Sequence, residues 1–225
     1  MNQYVLLIAC GDRYVDFLVK NYKKIPSNYT LIIYTSDVEI VKHKIKNSDV
    51  RKYEHSKFRY FDKFSIAYTL TNELKTPILY ADVGRILEIP PLFWKLDLNT
   101  ISEIHHMGNW GELKTAHDLT NHISEYFEES YFNNILSYFS SNIDLKRIPI
   151  ILERVFVLPY NKQMKKVLYE LEKLRPLFEH TSLTKMNTYS GIGNGEGLAL
   201  GYSIVKSETN IVNILDTDNI KKQII

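Results

Sequence analysis

The opening of the chain alternates between apolar runs and polar, turn-forming segments. Residues 4–10 and 29–34 form two apolar runs, and Tyr14, Phe17 and Tyr22 lie between them at helical spacing. Short apolar runs bounded by turn residues are typical of strands that are buried on both faces of a parallel sheet. The pattern therefore predicts a βαβ unit in which a right-handed connection joins two parallel strands.

The rest of the chain repeats this alternation of helical and strand-like segments. Apolar residues at helical spacing predict helices over residues 61–74, 124–139 and 161–174. Apolar runs predict strands over residues 78–84, 148–158 and 211–215. The polar stretch 36–57 is expected to hold one short helix and one short strand. This order predicts an α/β fold of Rossmann-like type, with a mostly parallel central sheet flanked by helices.

The composition is that of an ordinary folded protein, with 44% hydrophobic and 24% charged residues. These values exclude the disordered and fibrous classes. The formal net charge of +2 is too small to predict binding to nucleic acid or membranes, because both partners usually require a concentrated basic face. The length of 225 residues suffices for one sizeable core, so we expect a single domain spanning residues 1–225.

The N-terminus and the cysteine content favour a location inside the cell. The N-terminus lacks the positive segment and the cleavage-site pattern of a signal peptide. No run approaches the ~20 apolar residues that span a bilayer. Cys10 is the single cysteine, so no intramolecular disulfide can form, and its apolar surroundings favour a buried thiol. We therefore expect a cytoplasmic protein without a membrane span.

The most informative chemical feature is the end of the predicted strand 78–84, where Asp82 and Gly84 follow an apolar segment. In open α/β sheets, ligands bind outside the carboxyl ends of the strands, so an acid at such an end faces a site more often than the core. An aspartate two residues before a glycine also commonly caps a turn. The residues themselves support both interpretations equally.

The order of elements around Asp82 resembles that of GT-A glycosyltransferases, which use nucleotide-sugar donors. The shared features are the βαβ opening, a strand ending in an acidic triplet, the Leu-Phe-Trp segment at residues 92–94 and the Gly-Glu-Gly segment at residues 195–197. In that family the triplet is usually Asp-x-Asp, and it holds a divalent cation against the donor diphosphate. The resemblance implies a Mn²⁺ or Mg²⁺ ion at Asp82, whose remaining ligands are phosphate oxygens and water.

Gly84 stands where the family has its second acid. Three consequences are open: Asp82 holds the cation alone, another residue supplies a ligand, or arginine and lysine side chains neutralise the phosphates without a metal. Arg85, which follows the triplet, is the candidate for the third case, because a guanidinium binds phosphate in a bidentate manner.

The resemblance also implies further donor-binding residues. Matched residue by residue, the donor site comprises Ala9, Gly11, Arg13, Asp37, Arg59, Lys63, Asp82, Gly84 and Arg85. The first three match the loop that lines the nucleotide, and Asp37 matches an acid that contacts the base or ribose. Arg59 and Lys63 match basic residues near the donor phosphates. As alternatives, Asp37 can cap a turn or a helix, and the two basic residues can lie on a solvated face.

Glu196, His106 and Trp110 are the candidates for the acceptor side. In GT-A enzymes an acid at the start of a late helix often contacts the acceptor and is the general base of inverting members, so the resemblance makes Glu196 catalytic, together with Asp82. An exposed turn carboxylate is the alternative. His106 and Trp110 can line an acceptor pocket, where an aromatic ring suits a sugar face. Core packing is the alternative for Trp110.

The glycines at residues 191–197 do not form a dinucleotide-binding fingerprint, because the third required glycine is missing in both registers.

The resemblance leads to the hypothesis of a glycosyltransferase that moves a sugar from a nucleotide-sugar, with a UDP-sugar favoured, to a hydroxyl acceptor. That acceptor can be a glycan, a small molecule or a modified base of DNA. We expect residues 1–95 to bind the donor, residues 96–205 to form an acceptor and lid half, and residues 206–225 to be a C-terminal extension.

Two alternative functions stay open. A nucleotidyltransferase shares the nucleotide-binding fold, but it normally has a glycine-rich, lysine-bearing loop after its first strand, and residues 9–13 contain one glycine and no lysine. A non-catalytic nucleotide-sugar-binding module would explain the missing second acid of the triplet.

Overall fold

The computed structural model describes residues 3–54, 59–107, 129–149, 151, 153–178 and 195–213. The chain divides into two compact units. The first comprises Met1–Met107, Arg154–Met164 and Ile211–Ile225, and the second comprises Gly108–Glu153 and Lys165–Asn210. The first unit contains a β-sheet, whereas the described part of the second is mainly helical. The functional division near residue 95 stays a prediction.

The described residues form seven strands and six α-helices. The strands are β1 (Gln3–Ile8), β2 (Tyr29–Thr35), β3 (Asp49–Lys52), β4 (Ile78–Ala81), β5 (Ile104–His106), β6 (Val155–Leu158) and β7 (Ile211–Asn213). The helices are α1 (Asp12–Asn21), α2 (Val38–Lys44), α3 (Arg59–Leu74), α4 (Glu129–Ser140), α5 (Gln163–Leu174) and α6 (Gly195–Lys206).

All seven strands belong to one sheet with the order β3-β2-β1-β4-β6-β5-β7. β1 is parallel to β2 and β4, β2 is parallel to β3, and β5 is parallel to β7. β6 is antiparallel to its neighbours β4 and β5. Six strands therefore end at one edge of the sheet, which we call the carboxyl edge, and β6 begins there. The predicted α/β fold with a mostly parallel sheet is confirmed.

The centre of the sheet consists of the most apolar segments of the sequence. Val5, Leu6 and Leu7 of β1 are fully buried, and all four residues of β4 are buried. Such burial of successive residues shows that both faces of the sheet are covered, as in parallel sheets flanked by helices. Burying one large aliphatic side chain contributes roughly 1.5–3 kcal/mol. These two strands therefore provide a rigid base for the loops that follow them.

The helix α1 shows how the sequence pattern positions the first of these loops. Val15 and Leu18 are buried on one side, while Asp12, Asp16 and Lys20 are exposed on the other. This distribution is that of an amphipathic helix whose apolar stripe packs against a core. The predicted helix between the first two strands is thus present, and it begins immediately after the loop that follows β1.

Some elements differ from those that the sequence predicts. The predicted strand over residues 148–158 is reduced to Val155–Leu158, and a 3₁₀ turn at Leu145–Arg147 precedes it. The strand β5 was not predicted, because three residues are too few to show a period of two. No described helix is long and apolar enough to cross a membrane.

The second unit contains its own aromatic core. The rings of Phe139 on α4 and Tyr202 on α6 are stacked with their centroids 4.3 Å apart, and the ring of Tyr138 lies 5.9 Å from that of Tyr202. Phe139 and Tyr202 are fully buried. Aromatic contact of this kind fixes α4 against α6.

Two glycines allow α6 to pass close to the backbone of the chain before β6. A Cβ at Gly197 would overlap the carbonyl oxygen of Ile151, and a Cβ at Gly201 would overlap that of Pro149. The apolar segment of α6 is therefore fitted to this backbone by residues without side chains.

Candidate active site at the carboxyl edge

The strand order places a switch point between β1 and β4. The chain continues from β1 to β2 on one side, whereas β4 lies on the other side and the later strands lie beyond it. At such a point the loops after the two strands lead in opposite directions, and a crevice opens between them where ligands bind in open α/β sheets. In this protein the two loops are residues 9–11 and 82–84.

Asp82 is the first residue after β4 and is partly buried. Its backbone N–H donates to the carbonyl of Arg154, and its own carbonyl accepts from the N–H of Arg85, both at 2.8 Å. The turn is thus closed by backbone groups. The carboxylate accepts a hydrogen bond from the hydroxyl of Tyr80, which lies 2.5 Å from Oδ1. This described contact directs the carboxylate to a strand side chain, not to a cap of the turn.

The loop after Asp82 is held at Val83 and open at Gly84. Nδ2 of the buried Asn21 donates to the carbonyl of Val83 at 3.3 Å, and Val83 is itself buried. A Cβ at Gly84, by contrast, would meet no heavy atom within 4 Å. Position 84 is therefore sterically free to accept a side chain.

The loop after β1 turns at Gly11, whose φ is 80°. Side-chain-bearing residues rarely adopt this conformation, so the turn requires glycine. The carbonyl of Gly11 accepts from the N–H groups of Tyr14 and Val15, which begins α1. The N-terminal end of α1, which is the positive end of its dipole, consequently lies at the carboxyl edge, where it favours an anion.

Ala9 and Arg13 flank this turn in different environments. Ala9 is fully buried, and its N–H donates to the carbonyl of Tyr34 at 2.9 Å. Arg13 is exposed in the first turn of α1, with its guanidinium carbon 5.5 Å from the centroid of the Phe17 ring. Ala9 can therefore contact a ligand only through its backbone, whereas Arg13 presents a charge to solvent.

Asp37 follows β2 at the N-cap position of α2, but its side chain makes no capping bond to that helix. Its Oδ2 accepts from the hydroxyl of Ser36 at 2.6 Å, and its N–H donates to Oγ1 of Thr35 at 3.1 Å. Oγ of Ser36 also lies 3.4 Å from the N–H nitrogen of Gly11. The loops after β1 and β2 thus form one hydrogen-bonded group.

Lys63 on α3 is buried, with 3% of its surface exposed, so the solvated-face alternative does not describe it. Its Nζ lies 5.4 Å from the ring centroid of Phe64 and 5.7 Å from that of Tyr80. An ammonium group at this distance from aromatic rings is attracted by their electron-rich faces. Tyr80 also contacts Asp82, so Lys63 and Asp82 both lie near the same tyrosine side chain. Arg59 begins α3, and its side chain lies outside the described part of the chain.

A second buried contact ties α3 to the strand ends. The hydroxyl of Tyr53, just after β3, donates to Oδ2 of Asp62 on α3. The N–H of Tyr53 donates to the carbonyl of Thr35 at 2.9 Å. The N-terminal part of α3, which carries Lys63, is therefore held at the carboxyl ends of β2 and β3.

Arg85 forms an ion pair with Glu88 in the 3₁₀ turn Ile86–Glu88. The side chains of both residues are more than a third exposed. A surface pair of this kind contributes little to stability and exchanges readily with other partners. Arg85 thus stands beside the loop of Asp82 in a position where an anion has to compete with Glu88.

His106 ends β5 and is buried, with 2% of its surface exposed. It pairs in register with Phe156 of β6, and the N–H of the next residue, Met107, donates to the carbonyl of Val155 at 2.9 Å. Its place at the carboxyl edge fits the predicted acceptor side, but the described structure shows it packed in the sheet. Trp110 lies outside the described residues.

Glu196 lies in the first turn of α6 in the second unit and is 4% exposed. The alternative of an exposed turn carboxylate is therefore not correct. Glu153, 5% exposed, belongs to the same unit, and its carboxylate lies against Gly197. Two acidic residues are thus buried around the start of α6, which is unusual because the transfer of an acid from water is costly.

Sequence reasoning missed Tyr80 and Arg154. Tyr80 precedes Asp82 by two residues, and residues at this spacing in a strand point to the same face, which was the available signal. Arg154 has no signal in the sequence, because only the antiparallel pairing of β4 and β6 brings it beside Asp82.

The residues at this edge can hold one side of a divalent cation. Among the described residues no group of three or more His, Cys, Asp or Glu side chains could form a complete metal site. Mg²⁺ and similar ions are often bound through one or two carboxylates plus substrate phosphates. A single carboxylate such as that of Asp82 fits a cation that arrives with a diphosphate.

Comparisons with known proteins identify no family for this chain. No family model matches it, and no curated protein matches it in sequence. Among solved structures, the bifunctional IspDF from Campylobacter jejuni is similar with a TM-score of 0.40 and 12% identity. The match covers 94% of this chain and 48% of that one, so this chain spans about half the length of that protein.

Proposed function

We propose that this protein is a glycosyltransferase that takes a nucleotide-sugar, with a UDP-sugar favoured, and transfers the sugar to a hydroxyl group of an acceptor. The observation that carries the proposal is the position of Asp82 on the loop after β4, at the switch point with β1. A carboxylate at such a point lies where a nucleotide diphosphate binds in open α/β sheets.

Three further features support a diphosphate at this edge. The N-terminus of α1 begins beside the loop of Gly11, which favours negative charge. Lys63 adds a buried positive charge 5.7 Å from the centroid of the Tyr80 ring, and the hydroxyl of that ring contacts Asp82. Ser36 and Asp37 provide polar groups after β2, the strand next to β1, so they lie one strand away from the loop of Gly11 and suit a ribose. The edge therefore offers separate groups for phosphate and sugar parts of a nucleotide.

The proposed chemistry depends on charge and position. When a Mn²⁺ or Mg²⁺ ion is bound, it would be held by Asp82 and would neutralise the leaving diphosphate. Lys63 and the N-terminus of α1 would bind the diphosphate and orient it. Glu196 would accept the proton of the acceptor hydroxyl, which is the role of a general base. Pre-positioned charges of this kind are usually the largest contribution to such a catalyst.

The experiment is a calorimetric titration of the protein with UDP and UDP-sugars, with and without Mn²⁺, together with the variants Asp82→Ala and Asp97→Ala. Asp97 is an exposed acid at the N-cap of a 3₁₀ turn, which makes it a matched control. We expect binding by the wild type and by Asp97→Ala, and binding weakened at least tenfold in Asp82→Ala, since a charged contact to the donor is lost.

Two results would contradict the proposal. One is the absence of donor binding in wild-type protein under every condition. The other is release of pyrophosphate from a nucleoside triphosphate and a sugar phosphate, which would identify nucleotidyl transfer instead. Donor binding with neither sugar transfer nor slow release of free UDP would identify the non-catalytic module.

A further inference from the structure

The side chain of Tyr80 occupies a defined place between the sheet and Asp82. Its ring is stacked on that of Phe156, with centroids 4.9 Å apart and planes at 26°, and Phe64 is stacked on the same Phe156 ring at 5.1 Å. Tyr80 is 4% exposed, and both phenylalanines are fully buried. A ring packed in this way has one orientation, because it stacks on Phe156, which Phe64 in turn holds in place.

The fixed ring directs its hydroxyl at the candidate site. The hydroxyl oxygen lies 2.5 Å from Oδ1 of Asp82, the residue two positions along the chain. The N–H of Asp82 is bound to the carbonyl of Arg154 on the strand side. The backbone of Asp82 and one of its carboxylate oxygens are therefore both anchored to the sheet.

We propose that Tyr80 is a positioning residue that holds the carboxylate of Asp82 in one rotamer for the donor diphosphate and its cation. This inference rests on the proposed function for its ligand and on the described contacts for its geometry. A single carboxylate has to be well oriented, because Gly84 supplies no second acid to share the task. The buried hydroxyl replaces the missing partner by restricting the one acid that is present.

The role of Lys63 follows from the same ring. Its Nζ lies 5.7 Å from the ring centroid of Tyr80, on a helix that also supplies Phe64. The ring of Tyr80 thus joins a cation and an anion on one rigid support. Replacing the hydroxyl alone keeps the ring near which Lys63 lies.

The test uses Tyr80→Phe, which keeps the stacked ring and removes the hydroxyl. The matched control is Tyr29→Phe, because the hydroxyl of Tyr29 is buried, belongs to the same unit and has no hydrogen-bond partner among the described residues. Couplings measured by NMR report the χ1 rotamer of Asp82. We expect one rotamer in the wild type and in Tyr29→Phe, and averaging over rotamers in Tyr80→Phe.

The second measurement is the affinity of the protein for Mn²⁺ in the presence of UDP, determined by electron paramagnetic resonance of Mn²⁺. We expect Tyr80→Phe to weaken the Mn²⁺ affinity about tenfold, which is the effect of one hydrogen bond to a charged group. In protein that already carries Asp82→Ala, we expect Tyr80→Phe to cause no further loss of affinity. An equal loss in that background would overturn the inference, because Tyr80 would then act independently of Asp82.

The two proposals fail in different ways. A single Asp82 rotamer in Tyr80→Phe contradicts the positioning role, whatever the protein binds. Lack of UDP binding by the wild type contradicts the glycosyltransferase proposal and leaves the rotamer measurement as the test of Tyr80. Weakened binding in Tyr29→Phe equal to that in Tyr80→Phe would show that loss of any buried hydroxyl suffices, and would also overturn the inference.

Discussion

At the scale of single residues, the site depends on the loop between Asp82 and Arg85 and on what each position can accept. Gly84 has open space around its Cα and a φ outside the left-handed region. It therefore differs from Gly11, where the backbone itself requires glycine. The backbone therefore requires glycine at residue 11, whereas residue 84 could carry a side chain.

Gly84→Asp is expected to create a second carboxylate two residues after Asp82 without disturbing the fold. Two carboxylates bind a hard cation more tightly than one, so the affinity for Mn²⁺ should rise by roughly tenfold or more. Titration of Mn²⁺ by electron paramagnetic resonance measures this gain. Gly84→Asn, which has the same size without the charge, is the control, and an equal gain in both variants would argue against a cation at Asp82.

Gly11→Ala should cost about 1–3 kcal/mol of unfolding free energy, because residues with a side chain are strained at its φ of 80°. Gly84→Ala should change it by less than about 0.5 kcal/mol, because that position is open and unstrained. Urea denaturation of both variants gives the comparison. Equal effects would mean that the loop after β1 tolerates other conformations.

Glu196→Gln tests the proposed base. A general base contributes about 10²–10⁴-fold to the rate, so transfer should fall by this factor while the affinity for the donor stays the same. Glu208→Gln, an exposed acid just after α6, is the control. Weaker donor binding in Glu196→Gln would place Glu196 in donor recognition instead.

At the scale of elements, the sequence predicts the apolar strands well and their neighbours poorly. The runs that became β1, β2 and β4 are long, apolar and bounded by turn residues, so the pattern identifies them. β5 and the reduced β6 depend on pairing with distant strands, which a local pattern cannot show. For the same reason Asp82 could be predicted as the end of an apolar strand, whereas Arg154 could not.

Side-chain burial was the other limit of sequence reasoning. Lys63 and Glu196 are charged residues flanked by residues that suit either a surface or a core, and their burial arises from packing of whole helices. Asp37 was correctly located after β2, but its contact with Ser36 in place of a helix cap depends on the exact course of the loop. The donor-binding roles of these residues stay predictions.

The helix α6 provides a prediction at this scale. Gly197→Ala would raise the intrinsic helix propensity by about 1 kcal/mol, but its Cβ would overlap the carbonyl oxygen of Ile151. Overpacking typically costs 1–3 kcal/mol, so we expect a net destabilisation of up to about 2 kcal/mol by thermal or urea unfolding. Ser137→Ala on the exposed face of α4 is the control and should not destabilise. Stabilisation by Gly197→Ala would show that α6 can move away from this backbone.

At the scale of the whole molecule, each unit contains a buried tyrosine whose phenol has a raised pKa. Burial, and secondly the nearby Asp97 carboxylate, raises the pKa of Tyr29 to about 12. Burial also raises the pKa of Tyr202, with smaller contributions from Tyr138 and Glu170. Each phenol thus binds its proton more tightly in the folded than in the unfolded chain.

These shifts predict an alkaline loss of stability. Below pH 10, the ordinary pKa of tyrosine, Tyr29 is neutral in both states and its effect is constant. Between pH 10 and 12 the unfolded chain releases the proton first, so the unfolding free energy falls, by up to about 2 kcal/mol from this residue. Urea denaturation across this range measures the fall. Tyr29→Phe should show a smaller fall, and an identical profile would contradict the assignment.

The reversed strand β6 has a consequence for the connection that precedes it. Met107 leaves β5 and Val155 enters β6 as hydrogen-bonded neighbours, with all of Gly108–Glu153 between them. Adjacent antiparallel strands need only a short hairpin to join them. The pairing of β5 with β6 therefore does not require so long a connection, and the residues between them serve the second unit, where Phe139 of α4 packs on Tyr202 of α6.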